Sequence, residues 1–192
     1  PATKTALQTL PTDLRNHIDV LVNNAGLALG LEPADKTDFA DWQQMVNTNI
    51  LGLIHLTHEI LPFMVANNDG YIINLSSTAG NYPYFGGNVY GATKAFVTQF
   101  SLNLRADLVG KNIRVSNIEP GLCGGTEFSN IRFHGDDAKA AQVYNSVQYV
   151  TPQDIANMVA WLIEQPKHVN INRIEVMPTA QTFAGLKVVK DL

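Results

Sequence analysis

Four short runs with the look of strands, Ile18–Val22, Tyr71–Leu75, Ile113–Ile118 and Arg173–Met177, alternate along the chain with segments of helical periodicity. Parallel strands need long crossover connections, so this alternation argues for βαβ units. The expected fold is α/β: a mostly parallel, doubly wound sheet with helices on both faces, in three layers. A stripe at Trp42, Val46, Asn49, Leu53, Leu56 and Ile60 advances in steps of three and four, which predicts one long helix from about Asp38 to Asn67. A second helix is expected from about Asn88 to Leu108, closed by Gly110. Thr151-Pro152-Gln153-Asp154 reads as an N-cap, a proline at N1 and an acid at N3, opening a helix that ends before Pro166. Between these elements, Ser76 to Gly87 reads as a loop and the stretch up to Val150 as irregular, with one or two short helices. Phe183 onward reads as a tail. No repeat, low-complexity tract or linker divides residues 1–192, so they read as one domain.

Tyr90-Gly91-Ala92-Thr93-Lys94 sets a phenol and an ammonium one helical turn apart, and Ser77 stands thirteen residues upstream. Residues at i and i+4 share a helix face. Half-ionising a phenol at neutral pH requires a shift of about 3 units, or ~4 kcal/mol. A lysine charge ~4 Å away, at an effective dielectric of ~20, supplies up to that much before its own desolvation. Lys94 is therefore expected to lower the pKa of Tyr90, making a proton donor and acceptor for hydroxyl/carbonyl interconversion. Ser77 follows the carboxyl end of a strand, where open α/β sheets bind ligands, and its hydroxyl suits a developing oxyanion. Ser76 competes for that role. Asn49 lies on an apolar helix stripe, where an unbonded amide costs ~1–3 kcal/mol, so it braces the core or serves the site. Pro120-Gly121 lets backbone approach a ligand closely. Tyr82, Tyr84 and Phe85 are placed to wall a pocket between Ser77 and Tyr90, although packing explains them equally well.

Other features carry less. Cys123 has no partner that would stabilise a thiolate, so it reads as a small filler. The five histidines, at 17, 55, 58, 134 and 168, show no ligand spacing, and no metal site is expected. A net charge of −4 gives no electrostatic reason for nucleic acid or an anionic membrane. No apolar run of membrane-spanning length is apparent. One cysteine cannot form an internal disulfide, and cytoplasmic is the default location.

Together these residues resemble the short-chain dehydrogenase/reductase family. Asn23-Asn24-Ala25-Gly26 is similar to its NNAG motif, and Asn49, Ser77, Tyr90 and Lys94 to its catalytic tetrad. Pro120-Gly121, followed by Thr126, is similar to its PG motif and the threonine that touches the nicotinamide amide. Three stretches resemble the bacterial NADP-dependent 3-hydroxy acid (serine/allo-threonine) dehydrogenases: Gly86–Tyr90, Glu119–Phe128 and His168–Asn172. The resemblance implies NADP as cofactor, with NAD not excluded by the sequence itself. It implies a short 3-hydroxy acid or related carbonyl as substrate. Lys94 would hold the nicotinamide ribose, and Asn23, Ala25 and Gly26 would line the adenine-ribose side, unless Asn23 and Asn24 only pin neighbouring strands. Asn49 would support a water relay to Lys94. In the variable substrate segment, a substrate carboxylate would meet Arg132 first and Lys139 second, ideally through an arginine fork. Relatives pair the helices near Trp42 and Tyr90 into homotetramers.

Family members open with a glycine-rich phosphate turn, and no glycine precedes Gly26 here. The chain therefore reads as the family fold without its first three strands. That leaves a second function class, a silent scaffold or a piece that assembles with another chain, its Ile18–Val22 strand lying at an open edge. Within enzymes, the alternative is a ketoacyl or general carbonyl reductase.

Overall fold

The computed structural model describes residues 2–183. The expected tail lies outside the described residues beyond Phe183. Strands β1 (Val20–Asn23), β2 (Gly70–Leu75), β3 (Ile113–Pro120) and β4 (Arg173–Val176) form one fully parallel sheet in the order β1-β2-β3-β4. All four expected runs are strands, with ends shifted by one or two residues. β3 continues to Pro120, which ends it because proline has no N–H for the ladder.

Two short helices, α1 (Ala2–Thr9) and α2 (Thr12–Asn16), precede β1 and were not expected. Leu7 of α1 packs on the core. The long predicted helix is continuous from α3 (Phe39–Val46) to α4 (Leu53–Asn67), and Asp38 caps it by accepting from Ala40 N at 2.9 Å. Its middle, Asn47–Gly52, is a π-helical turn that periodicity did not reveal. Helices α5 (Asn88–Asp107), α6 (Phe128–Arg132), α7 (Asp137–Tyr144) and α8 (Pro152–Glu164) complete the set. Thr151 forms the anticipated capping box: its hydroxyl accepts from Asp154 N at 3.2 Å, and the Asp154 carboxylate accepts from Thr151 N at 2.8 Å. Gly110, at φ +82°, takes the left-handed turn that follows α5.

The two-residue period of the strands sorts side chains between two helix layers. Leu21, Ile72, Ile113 and Val115 pack against Ile60 and Met64 of α4, Leu104 of α5 and Leu108 just beyond it. Tyr71, Ile73, Leu75 and Ile118 face the other way, around Leu162, with Ile155, Met158 and Val159 of α8 packed against them. On the α4/α5 side Asn23, Asn74 and Asn117 stand in register across three strands. Asn23 donates to Thr57 and Asn74, Asn74 to Ser101, and Asn117 to Thr98. This polar row ties the sheet to both helices.

The expectation that no segment is long and apolar enough to cross a membrane needs correction. Phe39–Asn67 meets that test by length and composition, with a mean hydropathy of 1.3 over an 18-residue window. Its buried residues, among them Met45, Asn49, Leu53, Ile60 and Met64, serve the chain's own core.

Candidate active site

The carboxyl ends of β1, β2 and β3 open onto a cavity of about 690 Å³. This is where a parallel sheet leaves a crevice, because connections leave adjacent strands in different directions. Gly26 borders it beyond β1, Ser77 beyond β2, and Pro120 and Gly121 at the end of β3. Tyr90 and Lys94 enter from the first turns of α5, and Thr126, Phe128 and Arg132 close the far side. Tyr82 and Tyr84 are also on the wall, whereas Phe85 is 55% exposed and is not.

Lys94 Nζ donates to the Leu75 carbonyl at 2.9 Å and lies 5.9 Å from the Tyr90 ring centroid. A Cβ at Gly26 would stand 3.1 Å from that Nζ and 3.4 Å from Asn49 Oδ1, so a bare backbone there keeps the amine accessible. Ser77 Oγ donates to Pro120 O at 3.1 Å and accepts from Ala79 N at 3.1 Å, which starts a 3₁₀ turn at Thr78–Gly80. Ser76 takes no part at the cavity through its hydroxyl, which donates to Lys94 O at 2.7 Å and meets Thr98.

The expected acidity of Tyr90 is not found. Burial pushes its phenol up to about 12, and the Ser77 hydroxyl and the Arg132 guanidinium only partly oppose that rise. Burial also lowers Lys94 to about 8. The reason is shared: both groups leave water, and a neutral phenol and a neutral amine are the forms that tolerate it.

Asn49 stands behind the wall, not on it. Its Oδ1 accepts from Leu27 N at 2.9 Å and its Nδ2 donates to Leu27 O at 2.8 Å and Thr93 Oγ1 at 3.0 Å. One side chain thus clips the loop after β1 to α5, one residue from Lys94. Asn23 points away from the cavity into the core, since it shares the face of Leu21, and Ala25 is exposed beside the rim; Asn24 is on the wall instead. Of Asn23, Ala25 and Gly26 only Gly26 borders this cavity, and Asn23 pins neighbouring strands, the alternative reading, through its bonds to Thr57 and Asn74.

Arg132 is held by its neighbours. Its Nη2 donates to the Tyr84 hydroxyl at 2.5 Å and its Nε to Gly30 O at 3.2 Å, with the guanidinium 5.5 Å from the Tyr90 ring centroid. Lys139 lies away from the cavity, exposed on α7 and paired with Asp136 at 3.4 Å. Cys123 borders the cavity, but burial and the charge of Asp154 push its thiol up, against thiolate chemistry. Tyr144 and Gln181 are among the wall residues that escaped the sequence reading. Tyr144 contacts Ser129 Oγ at 2.6 Å and Cys123 O at 3.3 Å, and Gln181 accepts from Leu122 N at 2.6 Å. Gln181 follows the carboxyl end of β4, the same positional signal that singles out Ser77.

The sequence matches the short chain dehydrogenase family over residues 1–136. It is 70% identical over 190 residues to a probable NADP-dependent dehydrogenase of Haemophilus influenzae, covering 99% of this chain and 75% of that relative. It is 60% identical over 182 residues to the NADP-dependent 3-hydroxy acid dehydrogenase of Salmonella typhi, covering 95% and 73%. The structure is similar to the closed form of serine dehydrogenase complexed with NADP+, at a TM-score of 0.96 and 56% identity over 99% of this chain and 76% of that one. Matches of this extent, across the residues that build the cavity, show that the chain belongs to the short chain dehydrogenase family.

Proposed function

We propose that this chain is an NADP-dependent oxidoreductase that interconverts the hydroxyl and carbonyl of a short 3-hydroxy acid. The observation that carries the reading is the convergence of Ser77, Tyr90 and Lys94 on one cavity with Gly26, Pro120 and Gly121. Relatives at 58–70% identity bear the names NADP-dependent dehydrogenase and 3-hydroxy acid dehydrogenase.

The cavity fits the nicotinamide-ribose half of the cofactor. Among the described residues Lys94 Nζ has one acceptor, Leu75 O, which leaves N–H groups for ribose hydroxyls beside the bare backbone of Gly26. Gly121 and Thr126 offer backbone and a hydroxyl to the carboxamide. The glycine-rich turn that would hold the pyrophosphate is not among residues before Gly26. When bound, NADP supplies the hydride acceptor or donor. Everything else falls to the side chains of this chain.

With a phenol pushed up to about 12, Tyr90 is protonated at neutral pH and set to give a proton to a carbonyl oxygen as it becomes an alkoxide. Running towards oxidation, Tyr90 must take that proton from the substrate hydroxyl as phenolate, which needs cations near it. Lys94 and Arg132 are the cations present. Ser77 now donates to Pro120 O, so its O–H turns to the substrate oxygen when the cavity fills, while Ala79 N continues to hold Oγ. Arg132 Nη1 makes no hydrogen bond among the described residues and offers donors to a substrate carboxylate. That favours an acid over an apolar ketone. The Asn49 clip keeps the loop and Lys94 together, consistent with its support of a relay.

We further propose that the helices 39–67 and α5 mediate self-association into a tetramer, since Phe39 and Leu51 are 65% and 49% exposed. A reducing, cytoplasmic setting agrees with the single Cys123. Turnover of serine, allo-threonine and 3-hydroxypropionate compared with apolar ketones tests the substrate class. Saturable NADPH binding with turnover of the acids supports the reading, and preference for ketones overturns it. A chain that neither binds NADPH nor turns over is a silent scaffold.

A further inference from the structure

Glu119 is the one carboxylate buried among the described residues, and the proton chemistry above makes no use of it. Its oxygens are fully engaged. Oε1 accepts from Arg173 Nε at 2.7 Å, Asn117 Nδ2 at 2.7 Å and Thr98 Oγ1 at 3.3 Å. Oε2 accepts from Arg173 Nη2 at 2.8 Å and Asn81 Nδ2 at 2.7 Å. Arg173 Nη2 also donates to Asn81 Oδ1 at 2.9 Å, so acid, guanidinium and amide close a ring.

Three routes run from this carboxylate to the reacting groups. The next residue, Pro120, offers the carbonyl that holds the Ser77 hydroxyl. Asn81 ends the 3₁₀ turn that Ser77 begins, with Ala79 N on Ser77 Oγ and Gly80 N on Ser77 O. Thr98 meets Ser76 Oγ at 3.0 Å, and Ser76 donates to the Lys94 carbonyl. Glu119 thus grips the segment on both sides of Ser77 and, through Ser76, the backbone of Lys94. Glu119 is fully buried while the Arg173 side chain is 42% exposed, and taking that carboxylate out of water carries a desolvation cost that a device for stability alone does not need.

We infer that Glu119 and Arg173 form a positioning pair that fixes the Ser77 hydroxyl relative to Tyr90. The pair touches neither substrate nor cofactor and acts through Pro120, Asn81 and Ser76. Its kinetic consequence rests on the proposed oxidoreductase function, whereas its effect on the Ser77 turn does not.

The test compares the intact protein with Glu119→Gln, the double variant Glu119→Gln/Arg173→Gln, and Asn81→Ala. With Arg173 42% exposed, its charge stays solvated in the single variant, so Tm falls chiefly through the lost bonds to Glu119 and removing both charges changes Tm little further. A positioning role predicts that the double variant nevertheless loses about tenfold to a hundredfold in kcat, with KM changed by no more than about threefold. Amide hydrogen exchange at Ala79 and Gly80 should accelerate by about tenfold or more while α8 stays protected. Asn81→Ala, cutting one half-exposed link, should move exchange and kcat in the same direction by less. Wild-type kcat and wild-type exchange in the double variant overturn the inference; should that variant not fold, the same result in Asn81→Ala does so. If the wild-type protein shows no turnover, the functional reading fails and the exchange at Ala79 and Gly80 alone decides.

Discussion

Because Tyr90 and Lys94 both leave solvent, each is driven towards its neutral form, one up to about 12 and the other down to about 8. For Lys94 the consequence is a stability cost. At pH 7 the fold must hold an ammonium whose pKa lies below its value of 10.5 in the unfolded chain, a cost of about 3 kcal/mol. Below about pH 8 both states carry the proton and the cost is full. Between about 8 and 10.5 the unfolded chain still binds the proton that the fold has released, so stability rises with pH. Lys94→Met is therefore expected to be inactive yet more stable than wild type at pH 7 by denaturant titration, with the gap closing as pH approaches 10.5. A less stable Lys94→Met at pH 7 would contradict this. That Ser77, Tyr90 and Lys94 meet at one cavity was legible from their spacing, but their acidities were not. Spacing reports which groups can meet; desolvation depends on everything packed around them. Asn23 shows a reading that the residues did allow, since the period of two puts it beside inward-facing Leu21.

On the scale of single elements, the long helix illustrates both success and limit. Its stripe and its start at Asp38 follow from 3.6-residue periodicity and capping chemistry. The π turn over Asn47–Gly52 does not, because it arises where Asn49 must reach Leu27 and Thr93 together. Asn49→Ala leaves the Leu27 N–H and C=O without their partner. It is predicted to cost about 1–3 kcal/mol and to weaken NADPH binding, read by thermal melting and fluorescence titration. Unchanged melting and affinity would remove Asn49 from both roles. Thr151→Ala, which breaks the capping box of α8, should cost about 1 kcal/mol, read by thermal melting. Helices α1 and α2 were not read from the sequence; the short stretch before β1 offered too few turns for a periodic stripe.

Across the whole molecule, the parallel sheet and the two helix layers were predictable from the alternation of strands and helices, whereas the order β1-β2-β3-β4 comes from the structure. The cavity at the carboxyl edge follows from that architecture, and so do the residues at the strand ends that line it. What remained hidden is long-range: Gln181 reaching Leu122, and Arg173 reaching Glu119 across 54 positions. Sedimentation is predicted to show a tetramer at micromolar protein, with a charge at Leu51 shifting it to smaller species; a wild-type monomer would contradict the assembly. The central claim, that Tyr90 transfers the proton in a cavity built for a nicotinamide cofactor, is tested most directly by NADPH titration and steady-state turnover of Tyr90→Phe beside wild type. The account predicts saturable NADPH binding of nearly equal affinity in both proteins, with turnover of a 3-hydroxy acid in the wild type alone. Turnover retained in Tyr90→Phe would contradict it.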